Sequence, residues 1–287
     1  MILVTGASGM AGGAVLAKIR QSGAAHRALY RSSEDAAHAP AGTDAVIADF
    51  ADKPSLATAF RGVESLYVVC SPIPDLVTLE TNVIAAAEAA GVRRIVLNSA
   101  LGAGDYAKSF PSWHRIVEDR LKASSLAWCI LRPNSFMQNV LVYYLPSILA
   151  QGAFYGAMGS ARCSFIDARD IAAVAAAALL DATHDGQTYE LNGPDALTYA
   201  DVAGKIVQRT GIQASYIDIP EAAQRQAMLD QGMPEWQVTA LLDLQRYYTE
   251  GQGGTVDGLL ARLLGRAPRT MDQFLDENAS AFKNDRK

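Results

Sequence analysis

The first twelve residues constrain this chain more than any other stretch. A short apolar run, Met1-Ile-Leu-Val-Thr5, leads into Gly6-Ala-Ser8-Gly9-Met10-Ala-Gly12, and then into Ala14-Val-Leu-Ala-Lys-Ile-Arg20 with apolar residues at helical spacing. Strand, glycine triplet and helix in that order read as the opening of a dinucleotide-binding βαβ unit. Gly6 permits the tight turn, Gly9 a close approach of backbone to pyrophosphate, and Gly12 close packing of helix on strand. The first-turn amides and dipole of the helix would then face the phosphates, with Ser8 and Met10 beside them.

The rest of the chain repeats the alternation. Strands are expected at Ile2–Thr5, His26–Tyr30, Ala45–Ala48, Leu66–Cys70, Arg94–Asn98 and Ala127–Leu131, with helical patterns between them such as Leu76–Ala90 and Pro111–Ala123. Apolar strands alternating with helices imply an α/β fold of Rossmann type, a doubly wound parallel sheet covered on both faces. Past about residue 150 the texture changes to Gly/Ala-rich loop and then to amphipathic helices broken at Gly211, Pro220, Gly232, Pro234 and Pro268. The expected division is a nucleotide-binding domain over 1–150 and a smaller, mainly helical substrate-binding cap over 151–287. A short strand is expected at Cys163–Ile166, a helix at Ala168–Leu180, and a strand near 187–192 that returns to the sheet.

Composition narrows the function. Of 287 residues half are hydrophobic and 19% charged, and the net charge of −5 disfavours a broad nucleic-acid surface. Met1 already belongs to the first strand, which leaves no room for a signal peptide. The apolar run Ile171–Leu180 is half the length needed to cross a bilayer. Cys70, Cys129 and Cys163 are odd in number and lie in apolar contexts, and the four histidines show no metal-ligand spacing. These features point to a cytoplasmic protein without a metal, membrane or nucleic-acid partner; a monomer or homodimer is expected, and no residue chooses between them.

At the end of the second strand, where a carboxylate holds the ribose hydroxyls of NAD, the sequence reads Tyr30-Arg31-Ser32-Ser33. Arg31 fits a 2′-phosphate through charge-assisted bonds, and the serines can donate to its remaining oxygens, so NADP(H) is the expected cofactor. Asp49-Phe50, ending the third strand, is placed to border the adenine or to cap the next helix.

Taken together, Thr5–Gly12, Ala89-Ala-Gly-Val-Arg-Arg-Ile-Val96 and Leu131-Arg-Pro-Asn-Ser-Phe-Met-Gln-Asn139 resemble the NmrA-like branch of the atypical short-chain dehydrogenase/reductases. Gly232-Met-Pro-Glu235 before a long helix is similar to that branch's triphenylmethane- and quinone-reducing members. The resemblance covers nearly the whole chain. It implies cofactor contacts at Cys70-Ser71-Pro72, at Ser99, and at Pro133, Asn134 and Phe136. No tyrosine is followed four residues later by lysine, so the Tyr–Lys pair of conventional short-chain dehydrogenases is absent. In its place stands Trp113-His114-Arg-Ile-Val-Glu118, whose His and Glu are i,i+4. Either His114 donates a hydrogen bond or proton to the acceptor with Glu118 orienting it, or the two form a surface pair.

A site without a strong acid suits acceptors that need little proton help: quinones, triarylmethane or azo dyes, iminium ions and activated double bonds. Trp113, Phe136, Met137, Tyr143, Tyr144, Phe154 and Tyr155 are candidate walls for such a flat aromatic or conjugated substrate, although any of them could instead be core. The expected activity is an NADPH-dependent reductase. The alternative the resemblance leaves open is a dinucleotide-binding redox sensor without turnover.

Overall fold

The computed structural model describes residues 1–106 and 108–283. Their contacts form two compact units, one of Met1–Asp105, Phe110–Pro133 and Ala168–Glu190, the other of Tyr106–Ser109, Asn134–Asp167 and Leu191–Lys287. The change of texture near residue 150 is a change in loop composition, whereas the contact grouping changes where the sixth strand ends.

The first unit is built on β1 (Ile2–Val4), β2 (His26–Tyr30), β3 (Asp44–Ile47), β4 (Ser65–Val68), β5 (Arg94–Asn98), β6 (Ala127–Pro133) and β8 (Gln187–Leu191), in the order β3-β2-β1-β4-β5-β6-β8. The pairs from β3 to β6 are parallel, with Leu3 opposite both Arg27 and Leu66. Parallel pairing places the C-terminal ends of β1 to β6 on one edge of the sheet, where ligands of such folds bind. Helices α1 (Met10–Ser22), α2 (Ser33–Ala37), α3 (Lys53–Ala59), α4 (Leu76–Ala90) and α5 (Ser109–Lys122) follow the first five strands. Leu3, Leu66, Val68, Ile95, Leu97 and Ile130 share one buried core with Leu56, Ile84, Val117 and Leu121 of the covering helices. Both α1 and α4 stop at a glycine in the left-handed region, Gly23 and Gly91. Helix α7 (Ala168–Leu180) packs on α1, the small side chains of its alanine-rich sequence letting two backbones come close.

The second unit holds α6 (Leu145–Gln151), α8 (Tyr199–Thr210), α9 (Glu221–Asp230), α10 (Glu235–Thr249), α11 (Leu259–Leu264) and α12 (Met271–Glu277). Capping boxes start α8 at Thr198/Asp201 and α12 at Thr270/Gln273. A parallel pair, β7 (Phe154–Gly156) with β9 (Tyr216–Asp218), was not legible because three-residue strands carry too little alternation. The strand expected at Cys163–Ile166 is reduced to two isolated bridges, Cys163 with Leu197 and Ile166 with Phe136. Here the backbone bonds to separate loops and no ladder extends. No helix among the described residues is long and apolar enough to cross a membrane.

Candidate active site

The glycine turn sits at the C-terminal edge of β1. Gly6 has φ +59, and a Cβ there would lie 2.7 Å from Val69 Cγ1. A Cβ on Gly12 would lie 2.2 Å from the Gly6 carbonyl oxygen and 2.4 Å from that of Thr5, so α1 can approach β1 only through glycine. Gly9 is the N-cap of α1 and provides no capping side chain, which leaves the first turn available to an anion. Ser8 and Met10 are exposed beside it.

Arg31 follows β2 and is exposed. Its neighbour Ser32 is otherwise engaged: the hydroxyl accepts from the Asp35 amide at 3.0 Å and donates to the Asp35 carboxylate at 2.9 Å, capping α2. The expectation that Ser32 is free for a phosphate is therefore corrected by helix capping. Asp49 follows β3, and its carboxylate accepts from the Ala51 amide at 2.8 Å, so it shapes the turn before α3. Asn82 of α4 donates to the Phe50 carbonyl at 3.0 Å and ties that turn down.

Cys70, Ser71 and Pro72 follow β4, with Cys70 half-buried and the other two exposed. Burial pushes the Cys70 thiol up to about 12, and the nearby Glu80 carboxyl adds to the shift, so this thiol stays protonated. Glu80 of α4 is wholly buried, and neither carboxyl oxygen has a hydrogen-bond partner among the described residues. Burial raises it to about 8, only partly offset by the Cys70 amide, which faces it without reaching hydrogen-bond geometry. The signal for Glu80 was present in the sequence, since it occupies the i+4 position of the stripe Leu76, Glu80, Val83, Ile84, Ala87.

The end of β5 corrects the roles expected of the His–Glu pair. Glu118 is 1% exposed and accepts from Ser99 Oγ at 2.6 Å, Arg132 Nε at 2.9 Å and Nη2 at 2.7 Å, and Lys122 Nζ at 3.3 Å. Burial alone would raise its carboxyl, but Arg132, Ser99 and Lys122 outweigh that and hold it below the usual range. Glu118 thus braces β5, β6 and α5 against one another, and it is bonded to Arg132 rather than to His114. The Ser99 hydroxyl is committed to Glu118. His114 is 6% exposed, which rules out a surface pair, and its Nδ1 has no hydrogen-bond partner among the described residues. Burial lowers its imidazole to about 4 against a weak opposing pull from Glu118, so it is neutral at pH 7. Trp113 is half-buried and packs edge-on against Phe110 with ring centroids 5.4 Å apart. Arg132, which the sequence offered only as part of Leu131-Arg-Pro133, is the organising cation of this group.

In the second unit the Asn134 side chain is part of the scaffold. It is 2% exposed and its amide donates to Asn192 Oδ1 and to the Gly253 carbonyl, both at 2.9 Å. Its Oδ1 accepts from the Ser135 amide and from Cys163 Sγ. Met137 and Phe154 are core residues with no surface to offer a substrate. Tyr144 bonds Tyr199 Oη at 3.2 Å inside a cluster of rings that includes Phe154. Pro133, closing β6 in the first unit, is likewise buried. Phe136 is half-buried, while Tyr143 (68% exposed) and Tyr155 stand out from the surface. Tyr143 lies on a π-helical turn, Val140–Tyr144, a local distortion frequent at functional sites. Among the described residues no cluster of His, Cys, Asp or Glu could hold a metal ion.

This edge offers a nucleotide cradle with a protonated thiol and a neutral imidazole, and no Tyr–Lys pair. Against known proteins, the model of the NmrA-like family matches residues 1–275. The chain is 33% identical to NAD(P)H azoreductase of Xenophilus azovorans over 98% of this chain and 99% of that protein. Its fold is similar to that of NADPH-dependent quinone oxidoreductase of Escherichia coli, solved in complex with NADPH, with TM-score 0.87 and 30% identity over 98% and 99% of the two chains. It also shares the fold of triphenylmethane reductase of Citrobacter sp., with TM-score 0.85 and 22% identity over 97% and 100%. The chain belongs to the NmrA-like family.

Proposed function

We propose that the protein is an NAD(P)H-dependent reductase, with NADPH preferred, that delivers hydride to flat conjugated acceptors such as quinones and azo compounds. The observation that carries this reading is end-to-end similarity, at 30–33% identity, to proteins named for NAD(P)H-dependent azo and quinone reduction. The residues at the sheet edge fit the cofactor. The uncapped first turn of α1 receives the pyrophosphate, and exposed Arg31 receives the 2′-phosphate. The turn at Asp49-Phe50, held by Asn82, borders the adenine.

Bound there, the reduced nicotinamide would supply the hydride. The protein's own part is positioning. Neutral His114 can donate a hydrogen bond but is not an imidazolium acid at neutral pH, which suits acceptors whose developing charge is delocalised and whose proton comes from water. Within the first unit, Trp113 and His114 are our candidates for contact with substrate. We place the enzyme in the cytoplasm, as a monomer or homodimer.

The test is steady-state reduction of a quinone, an azo dye, a cationic triarylmethane dye and a simple ketone with NADPH and with NADH. The conjugated acceptors should be turned over and the ketone should not. Arg31→Ala should weaken NADPH binding about tenfold or more with little change for NADH. Tight NADPH binding with no turnover of any acceptor would replace the reductase by a redox sensor.

A further inference from the structure

We propose that Asp35 sets how strongly this site prefers a 2′-phosphorylated dinucleotide, by opposing Arg31. The inference rests on the assignment of NADP(H) to the edge of β2. Asp35 stands in the first turn of α2, one turn past Arg31 and reciprocally bonded to Ser32. It lines a cleft of about 360 Å³ together with Ser8 of the glycine turn, Arg20, Tyr30 and His38. The cleft lies between the glycine turn and Tyr30, the last residue of β2, and a ribose 2′-substituent is read at the end of that strand.

Arg20 and His38 share this cleft with Asp35, and each of their side chains is bonded to a backbone carbonyl. The Arg20 guanidinium donates to the Ala41 carbonyl at 2.9 Å, and the His38 ring pairs through Nδ1 with the Glu34 carbonyl at 2.8 Å. Among the described residues no ion pair includes Asp35. Its field reaches Tyr30, whose hydroxyl is raised by burial, lowered by Arg20 and raised again by Asp35. Asp35 therefore acts in two ways. It places a negative charge beside a dianionic phosphate, and it keeps the Ser32 hydroxyl turned inward as its own donor. Arg31 favours the phosphate, Asp35 discounts that preference, and NADH remains a usable cofactor.

The experiment is titration calorimetry of 2′,5′-ADP and 5′-AMP, which needs no turnover, on the parent, Asp35→Asn, Ser32→Ala, the double variant and Arg31→Ala. Circular dichroism checks the fold, and Asp35→Ser serves as a second charge-removing variant that keeps a short polar side chain in α2. The affinity ratio of 2′,5′-ADP to 5′-AMP should rise about three- to tenfold in Asp35→Asn, and the gain should shrink as salt screens the charge. Ser32→Ala should leave the parent ratio nearly unchanged but remove part of the gain in the double variant, where the freed hydroxyl has turned to the phosphate. A ratio unchanged in both charge-removing variants overturns the inference. So does a loss in Ser32→Ala alone as large as that in Arg31→Ala. A parent that does not distinguish the two ligands, with no effect of Arg31→Ala, would instead overturn the NADP(H) assignment on which the inference rests.

Discussion

His114 and Glu118 lie one helical turn apart and carry opposite electrostatic solutions. Glu118 keeps its charge because a bidentate guanidinium, a hydroxyl and an ammonium compensate for lost water. His114 gives up its charge because the pull of Glu118 does not outweigh burial. Two outcomes are expected. The pH profile of kcat/KM for a quinone should show no ionisation near 6.5, since the imidazole stays neutral down to about 4. His114→Ala should lower kcat/KM for that quinone by less than about tenfold, well below the factor of about 10²–10⁴ that a general acid supplies. A shoulder near 6.5 that vanishes in the variant would make His114 the proton donor. Arg132→Ala should destabilise the protein by roughly 3–5 kcal/mol, because it strands a buried carboxylate, as measured by urea denaturation. The double variant with Glu118→Gln should recover much of the loss.

The glycine turn of β1 and α1 separates folding from binding within one element pair. Gly12 is needed because a Cβ would sit 2.2 Å from a backbone oxygen that cannot move away without breaking the turn. Gly12→Ala should therefore cost roughly 3 kcal/mol or more, read as a lowered Tm. At Gly9 the nearest atom to a Cβ is the Gly6 oxygen at 3.3 Å, a tight but smaller intrusion. Gly9→Val should keep native circular dichroism and lose NADPH binding, because the branched side chain fills the approach to the pyrophosphate. Equal loss of fold in both variants would show that Gly9 is also a packing glycine.

For the molecule as a whole, Glu80 and His114 give stability opposite slopes against pH. Glu80 titrates near 8 when folded against about 4.5 when unfolded, so its contribution is complete below 4.5 and is lost as pH rises to 8. His114 titrates near 4 against about 6.5, so its contribution is complete above 6.5 and is lost as pH falls to 4. The slopes oppose one another between 4.5 and 6.5, and only the Glu80 slope remains above that. From pH 6.5 to 8 the protein should lose roughly 2 kcal/mol of stability from this group, at about 1.4 kcal/mol per pH unit. Glu80→Gln should flatten that decline and raise Tm most at pH 8. A parent stability flat across this interval would mean that Glu80 is not buried as an acid.

The sheet, the glycine turn and the family are legible in the residues alone. Each is written in local pattern: apolar runs of strand length, glycines where backbone must meet backbone, and helices stopped by Gly23 and Gly91. The sequence also placed the candidate cofactor residues on one edge, because in a parallel sheet every loop after a strand emerges on the same side. Tertiary structure decided which polar groups remain available there. Ser32, Ser99, Asp49 and Asn134 have the right chemistry and the right positions, yet each spends its bonds on the protein. A hydrogen-bond partner is chosen by distance in the folded chain and not by spacing along it. For the same reason His114 and Glu118, paired in sequence, are unpaired in space: Arg132, fourteen residues on, offers the carboxylate two donors in a fixed plane and takes it.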